Sequence, residues 1–276
     1  MYDISYVGAT HGERIELCHW PYMVNGGDIF NSEFEEVEEN DRIQDWEKKI
    51  TDYSLQIDIS AVSEKAFQEA VDRLEDITEK DIVNMTPGKL YVGNSYMKCW
   101  IVGTGKDRWL NDLCSISNDY PYWITEEKFE YLKAEQSEVT SPWLEFPYDF
   151  PYEYAKVRNL QYIQNNNYTA SGFKMIIYGP CINPLIRVAG HIYELKTTLY
   201  EGEYAVIDSS TRYAKDRKII KVKADGTQED IYNSRNKESE IWEKIPPGRS
   251  TVSWSGSFGF DIILFNERGT PRWTLR

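Results

Sequence analysis

Residues 241–273 read IWEKIPPGRSTVSWSGSFGFDIILFNERGTPRW, and their reading decides the fold. Pro246 and Pro247 lack the N–H that a ladder needs, and with Gly248 they punctuate a turn. The β-rich runs 251–254 and 258–265 then predict two strands meeting across Gly256. Ile262, Ile263, Leu264 and Phe265 are apolar without a break, as in a strand covered on both faces. No nucleophile stands beside a base here, and no metal-ligand set forms. The stretch reads as the core of a β-sandwich.

Upstream, the same grammar continues. Strands are predicted at 172–178, 185–188, 192–199, 203–208 and 217–222, and Ala224-Asp225-Gly226-Thr227 marks a tight turn. Many short strands at turn-separated intervals indicate a sandwich over 155–276. The basic run Arg212, Lys215, Arg217, Lys218, Lys221 and Lys223 reads as a solvated strand edge, where lysine discourages aggregation. An acidic partner is its alternative reading. Trp242, Trp254 and Trp273 are of the type that stacks on sugars, although a core or interface role is the plainer one. Trp242 and Trp254 stand as the candidate carbohydrate-binding residues.

Between 126 and 154 the character changes. EEKFEYLKAEQSEV is polar and allows a short helix, while Pro142, Pro147 and Pro151 interleave with aromatic residues. Residues 141–154 are expected to be an ordered linker between domains 1–140 and 155–276. Further upstream, Tyr53, Leu55, Ile57 and Ile59 alternate with polar residues, the period of a half-buried strand. Runs at 2–7 and 14–20 add shorter strands. Ser63 is a good N-cap, and Phe67, Ala70, Val71, Leu74 and Ile77 recur at helical spacing, so an amphipathic helix is predicted over 63–78. Gly93-Asn94 joins strands 89–92 and 95–102 as a hairpin, and a further strand spans 110–117. The acidic run 32–49, SEFEEVEENDRIQDWEKK, reads as a solvated loop or strand flank, and Gly103-Thr104-Gly105 as a loop signal.

Charge divides the chain in the same place. Residues 1–140 carry 13 Lys and Arg against 29 Asp and Glu, a net −16, whereas 141–276 carry a net +2. An acidic first half argues against gripping a nucleic-acid backbone, which requires cations to displace counterions. It suits a passage from which DNA is repelled. Four widely spaced cysteines, Cys18, Cys99, Cys114 and Cys181, form no zinc pattern and read as reduced thiols. His11, His19 and His191 form no HxxxH or HExxH pair, and neither GxGxxG nor GxxxxGK[ST] occurs. No catalytic, cofactor or metal residues are assigned. With neither a basic leader nor a long apolar run, the chain is expected to be made in a cytoplasm and to avoid membranes.

Taken in order, the strand 53–59, the helix from Ser63, TPGKLYVGNSYMKCWIVG and NDYPYWI resemble one known family. PYDFPYEY, INPLIRVAGHIYEL, EGEYAVIDSS, the ADGT turn and the closing IPPG, WSGSFGFD and ERGTPRW continue the match. The sequence resembles the distal tail (Dit-like) proteins of bacteriophages with long, non-contractile tails, over most of its length. The resemblance implies a mainly β protein: an N-terminal tail-tube-like domain with one amphipathic α-helix, then a galectin-like β-sandwich. It implies a non-enzymatic structural part of a phage or prophage tail tip, without cofactor. Such a part self-associates, as a hexameric ring, and joins the tail tube to the baseplate or receptor-binding proteins while DNA passes without specific binding. The rival expectation is a carbohydrate-binding module acting through the C-terminal sandwich. The polar residues that galectins place around a tryptophan have no evident counterpart on these strands.

Overall fold

The computed structural model describes residues 3–107, 111–133, 159–210 and 217–271. The protein is mainly β with one long helix, in two units: Met1–Thr125 with Glu267–Arg276, and Glu126–Asn266. This partition differs from the expected 1–140 and 155–276, because one strand carries the first crossing and the end of the chain returns to the first unit. Residues 141–154 lie outside the described residues.

The first unit contains β1 (Ile4–Val7), β2 (Arg14–Glu16), β3 (Tyr22–Gly27), β4 (Phe34–Glu39), β5 (Arg42–Lys48) and β6 (Tyr53–Ile59). After these come α1 (Glu64–Val83), β7 (Gly88–Val92), β8 (Ser95–Asp107), β9 (Asn111–Ser117) and the start of β10 (Trp123–Tyr131). Seven strands pair antiparallel in the order β3-β6-β9-β8-β7-β1-β2, and Val24 N–H donates to Leu17 C=O at 2.9 Å, linking the two ends. β8 is long enough to serve three neighbours: Ser95 to Cys99 pair with β7, Ser95 and Tyr96 also with the start of β10, and Trp100 to Asp107 with β9. The register shifts between Ile101 and Gly103, so Gly103-Thr104-Gly105 is strand at a bulge and not the expected loop.

Local sequence accounts for these elements. The alternation in β6 buries Tyr53, Leu55, Ile57 and Ile59. Gly93 adopts φ +58° in the β7–β8 turn, which a side chain would disfavour. Ser63 caps α1 in extended conformation, its Oγ accepting from Ala66 N–H at 3.2 Å. Ala70, Val71, Leu74 and Ile77 are buried on the inner face, and Phe67 packs against the same core. Burying a leucine of this kind contributes about 1.5–3 kcal/mol. At its C-terminal end the helix is anchored by a buried carboxylate: Asp81 accepts from Tyr6 Oη at 2.7 Å and from Ala9 N–H at 2.9 Å. Gly88 makes this approach possible, since a Cβ there would lie 2.2 Å from Tyr6 Oη and 2.7 Å from Asp81 Oδ2. Burial, with the Cys99 thiol and Asp81 nearby, raises the Tyr6 phenol well above its ordinary range.

The second unit takes the remainder of β10, then β11 (Asn159–Asn165), β12 (Gly172–Tyr178), β13 (Cys181–Ile182), β14 (Leu185–Val188) and β15 (His191–Glu194). β16 (Thr198–Leu199), β17 (Tyr204–Asp208), β18 (Ile219–Val222), β19 (Gln228–Asp230), β20 (Gly248–Trp254) and β21 (Phe260–Arg268) complete it. One sheet runs β19-β18-β17-β12-β21 and the other β11-β20-β14-β15, with β13 and β16 as a separate pair. A single apolar cluster draws Phe173, Met175 and Ile262 from the first sheet and Ile163, Ile186 and Val252 from the second. That shared core makes the unit a sandwich.

Two expectations are corrected here. β20 and β21 are not hairpin partners across Gly256: β20 pairs with β11 and β14, β21 with β12, so the chain changes sheet between them. Trp254, Phe258 and Phe260 all belong inside, and a sheet change satisfies that more readily than a tight hairpin. Residues 126–131, in a run whose polarity allowed a short helix, continue β10 instead, because Phe129 and Tyr131 face the core at alternate positions. Asn165 secures the neighbouring corner. Its Nδ2 donates to Ile245 C=O at 2.9 Å, and Ser171 Oγ lies 3.1 Å from its Oδ1 and 3.0 Å from Asn266 Oδ1.

Candidate assembly surface

The tryptophans considered for sugar stacking lie in the core of the second unit. Trp254 is 4% exposed, donates through Nε1 to Phe258 C=O at 2.9 Å, and meets Tyr131 and Phe260 edge-on. Trp242 is 6% exposed, stacks on Tyr232 at 5.4 Å, and has the Arg217 guanidinium near its ring. Little of either ring reaches solvent, so a sugar has no open aromatic face there. Trp273 lies outside the described residues.

The basic run is not a solvated edge. β18 has β17 on one side and β19 on the other. Lys221 is buried and pairs with Glu203 at 2.8 Å, Lys223 meets Glu229 at 3.2 Å, and Arg217 reaches Glu240 at 3.8 Å. The Lys221 hydrogen bond, with one from Tyr200 N–H, holds the Glu203 carboxyl below its ordinary range. Arg212 and Lys215 lie outside the described residues.

Other reactive side chains are quiet. Burial pushes the Cys99 thiol up to about 12 and Cys181 up to about 11, the reverse of an activated thiolate. His191 Nε2 lies 2.7 Å from Glu240 C=O, and its ring packs edge-on to Tyr193. His11 and His19 are exposed. Among the described residues, no His, Cys, Asp or Glu group is arranged for a metal, and no helix is long and apolar enough to cross a membrane. A hollow of about 280 Å³ in the first unit is lined by Cys18, Val24, Ile29, Phe30 and Leu55.

What the first unit does present is surface. The acidic run forms the hairpin β4–β5, with Asn40 and Asp41 both at positive φ in the turn. Every residue of the two strands is exposed except Lys48 at the base. Phe34, Glu36, Glu38, Ile43 and Trp46 share one face; Trp46 is 52% exposed. Glu35, Val37, Glu39, Arg42, Asp45 and Glu47 share the other, with Glu35 directly opposite Glu47 and 3.4 Å from Lys49 Nζ. At the base Lys48 Nζ donates to Gly269 C=O at 2.5 Å, and burial pulls its pKa down to about 8.

A second surface is the outward side of β2, β1, β7 and β8, where Arg14 is exposed, Lys89, Tyr91, Lys98 and Trp100 are half-buried, and Ser5 and Tyr96 are buried. Their inward residues, among them Tyr6, Leu90, Met97 and Cys99, fill the core. Their outward residues include Arg14, Lys89, Tyr91, Lys98 and Trp100. Lys89 lies over the Tyr96 ring at 4.2 Å and Arg14 over the Tyr91 ring at 5.6 Å. Cations and aromatic rings thus collect on one sheet face of an otherwise acidic unit. The acidic hairpin escaped sequence reading because glutamates occupy alternate positions where a strand would show apolar residues. Its signal is Asn40-Asp41 at the centre of two runs that both contain apolar residues, a turn dipeptide that tolerates positive φ.

No protein-family model and no curated protein matches the chain. Solved structures do. The Dit protein of phage SPP1, described as a paradigm of the hub adsorption apparatus in phages infecting Gram-positive bacteria, aligns with a TM-score of 0.57 at 8% identity. That alignment covers 97% of this chain and 99% of that one. A chain of the phage P2 baseplate, in its activated conformation with Ca, aligns with a TM-score of 0.62 at 11% identity, over 98% and 99% of the two chains. The same baseplate with Sr gives equal values. The chain has the Dit fold over nearly its full length.

Proposed function

We propose that this protein is a non-enzymatic structural component of a phage or prophage tail tip. It forms a hub ring that joins the tail tube to the baseplate or receptor-binding apparatus. The observation that carries the reading is the fold likeness to SPP1 Dit and to a P2 baseplate chain, which includes both units and leaves almost nothing over on either side. Its partners are other copies of itself, a tail-tube protein and tail-tip proteins, and its place is the virion tail tip after synthesis in the host cytoplasm. The ring is a hexamer in this reading. A closed ring needs two different patches on each protomer, and the first unit offers an acidic arm and a cationic sheet face. The acidic balance of residues 1–140 suits a bore that DNA crosses without adhering.

Negative-stain imaging of the purified chain tests the proposal. Rings with a central hole are the expected result. A chain that stays monomeric at high concentration, and also with its tail neighbours present, overturns it. Saturable glycan binding by monomer would instead revive the carbohydrate reading.

A further inference from the structure

We propose that β11 is a self-pairing edge: β11 of one copy adds antiparallel to β11 of a second copy, across a twofold axis at Tyr162. The inference stands apart from the ring reading. Just past β14, Ala189 N–H donates to Thr251 C=O at 2.9 Å, so the backbone groups of Thr251 face β14. The Tyr162–Thr251 pair is then of the non-hydrogen-bonded kind, and the N–H and C=O groups of Leu160, Tyr162 and Gln164 point away from β20. Among the described residues that side holds one contact, Tyr131 Oη at 3.4 Å from Tyr162 C=O. Gln161, Tyr162 and Gln164 are exposed.

The other sheet edges among the described residues are guarded. β2 and β19 are three residues long and charged, with Arg14 and Glu16 on one and Glu229 and Asp230 on the other. β3 is bulged after Val24, which donates to Leu17 C=O. β15 is covered where Asn236 N–H donates to Glu194 C=O at 3.0 Å and Leu195 bridges Arg235. β10 beyond Thr125 bears Glu126, Glu127, Lys128 and Glu130, and β4–β5 is rich in glutamate. β11 reads NLQYIQN, seven residues in unbroken register with β20, without charge, proline or bulge. A long, regular, uncharged edge is a template for another strand.

A second copy fits that edge. Leu160 and Gln164 lie two residues either side of Tyr162, so an antiparallel copy meets each open donor with an open acceptor. An uncharged strand also meets itself without like-charge cost, in a chain that is 28% charged. The cation nearest the centre, Arg249, lies over its own Tyr162 ring at 3.8 Å and pairs across from Gln164, so the two copies of it start from opposite sides of the axis. A twofold contact uses one patch on both copies; it leaves the head-to-tail patches of a ring free and joins one ring to another.

Tyr162→Cys in the full chain tests the pairing, with Cys18→Ser to remove the one native thiol that is not buried. Residues paired in this way have Cα atoms about 5.5 Å apart, within disulfide range. Mild oxidation is expected to give a covalent dimer on a non-reducing gel, and adding Gln164→Pro is expected to abolish it. Gln164 N–H points off the edge, so proline there costs no internal hydrogen bond. Gln164→Lys is a second blocking variant, and circular dichroism checks that all remain folded. A dimer that persists equally in both blocking variants overturns the pairing. So does the absence of a dimer, and maleimide labelling of the new thiol then shows what holds the edge: the chain itself if the monomer resists, another protein if tail neighbours confer the shielding. Rings that form without the cross-link leave the ring reading standing, whereas dimers that form without rings keep the pairing and sink the ring.

Discussion

The two units spend their charged and aromatic residues differently. In the second, Trp254, Tyr131 and Phe260 pack on one another, and Lys221, Lys223 and Arg217 each meet an acid on a neighbouring segment. Those side chains are satisfied within the sandwich. In the first, an acidic arm carries Trp46, Ile43 and Phe34 about half exposed, while cations and rings gather on a sheet face. A domain that satisfies itself can be a projecting module. One that keeps apolar side chains in water gains by covering them.

The contrast can be broken from either side. Trp254→Ala should cost about 3–5 kcal/mol, through lost contacts and the cavity left behind, with the loss confined to the second unit. Segment-resolved hydrogen exchange in urea checks this, and equal loosening of the first unit would show that the two are not independently stable. Gly88→Ala should cost about 2–3 kcal/mol, this time in the first unit, by forcing Tyr6 and Asp81 apart; denaturant titration reads it. Tyr6→Phe, which removes one donor from the buried Asp81 carboxylate, should cost about 1–2 kcal/mol, read by the same titration.

The smallest effect concerns the base of the arm. Lys48 titrates near 8 when folded and near 10.5 when unfolded. Between those values the unfolded chain holds a proton that the folded chain lacks, so stability rises with pH across that window. One proton limits the slope to about 1.4 kcal/mol per pH unit and the gain between pH 8 and 10 to about 2 kcal/mol; about half of that is expected, because the hydrogen bond to Gly269 C=O favours the charged form. Lys48→Met should flatten it, as pH-resolved melting would show. A slope unchanged by that substitution would place its cause elsewhere.

Much of the fold was legible because local and long-range preferences agreed. Ser63, the helical spacing of Ala70 to Ile77, the alternation in β6 and the Gly93-Asn94 turn each named their element. The failures came where partners distant in sequence decide. Nothing in WSGSFGFD tells that Trp254 and Phe260 lie on opposite sheets, because pairing with β11 and β12 settles it. The polar run after Thr125 resembled a helix until Phe129 and Tyr131 found a core to face. The surface was partly visible: the hairpin joined by Gly93-Asn94 named itself, whereas the acidic arm looked like a solvated loop or strand flank.

The route of the chain has a consequence for synthesis. It leaves the first unit at Thr125 and regains it only at Glu267. Residues from that last return complete earlier elements: Tyr120 donates to Glu267, and Gly269 receives Lys48 at the foot of the arm. On the ribosome, then, the unit begun first is finished last, and the whole sandwich is translated before the arm acquires its footing. A chain released early would carry an unanchored arm on a first unit that had not yet closed.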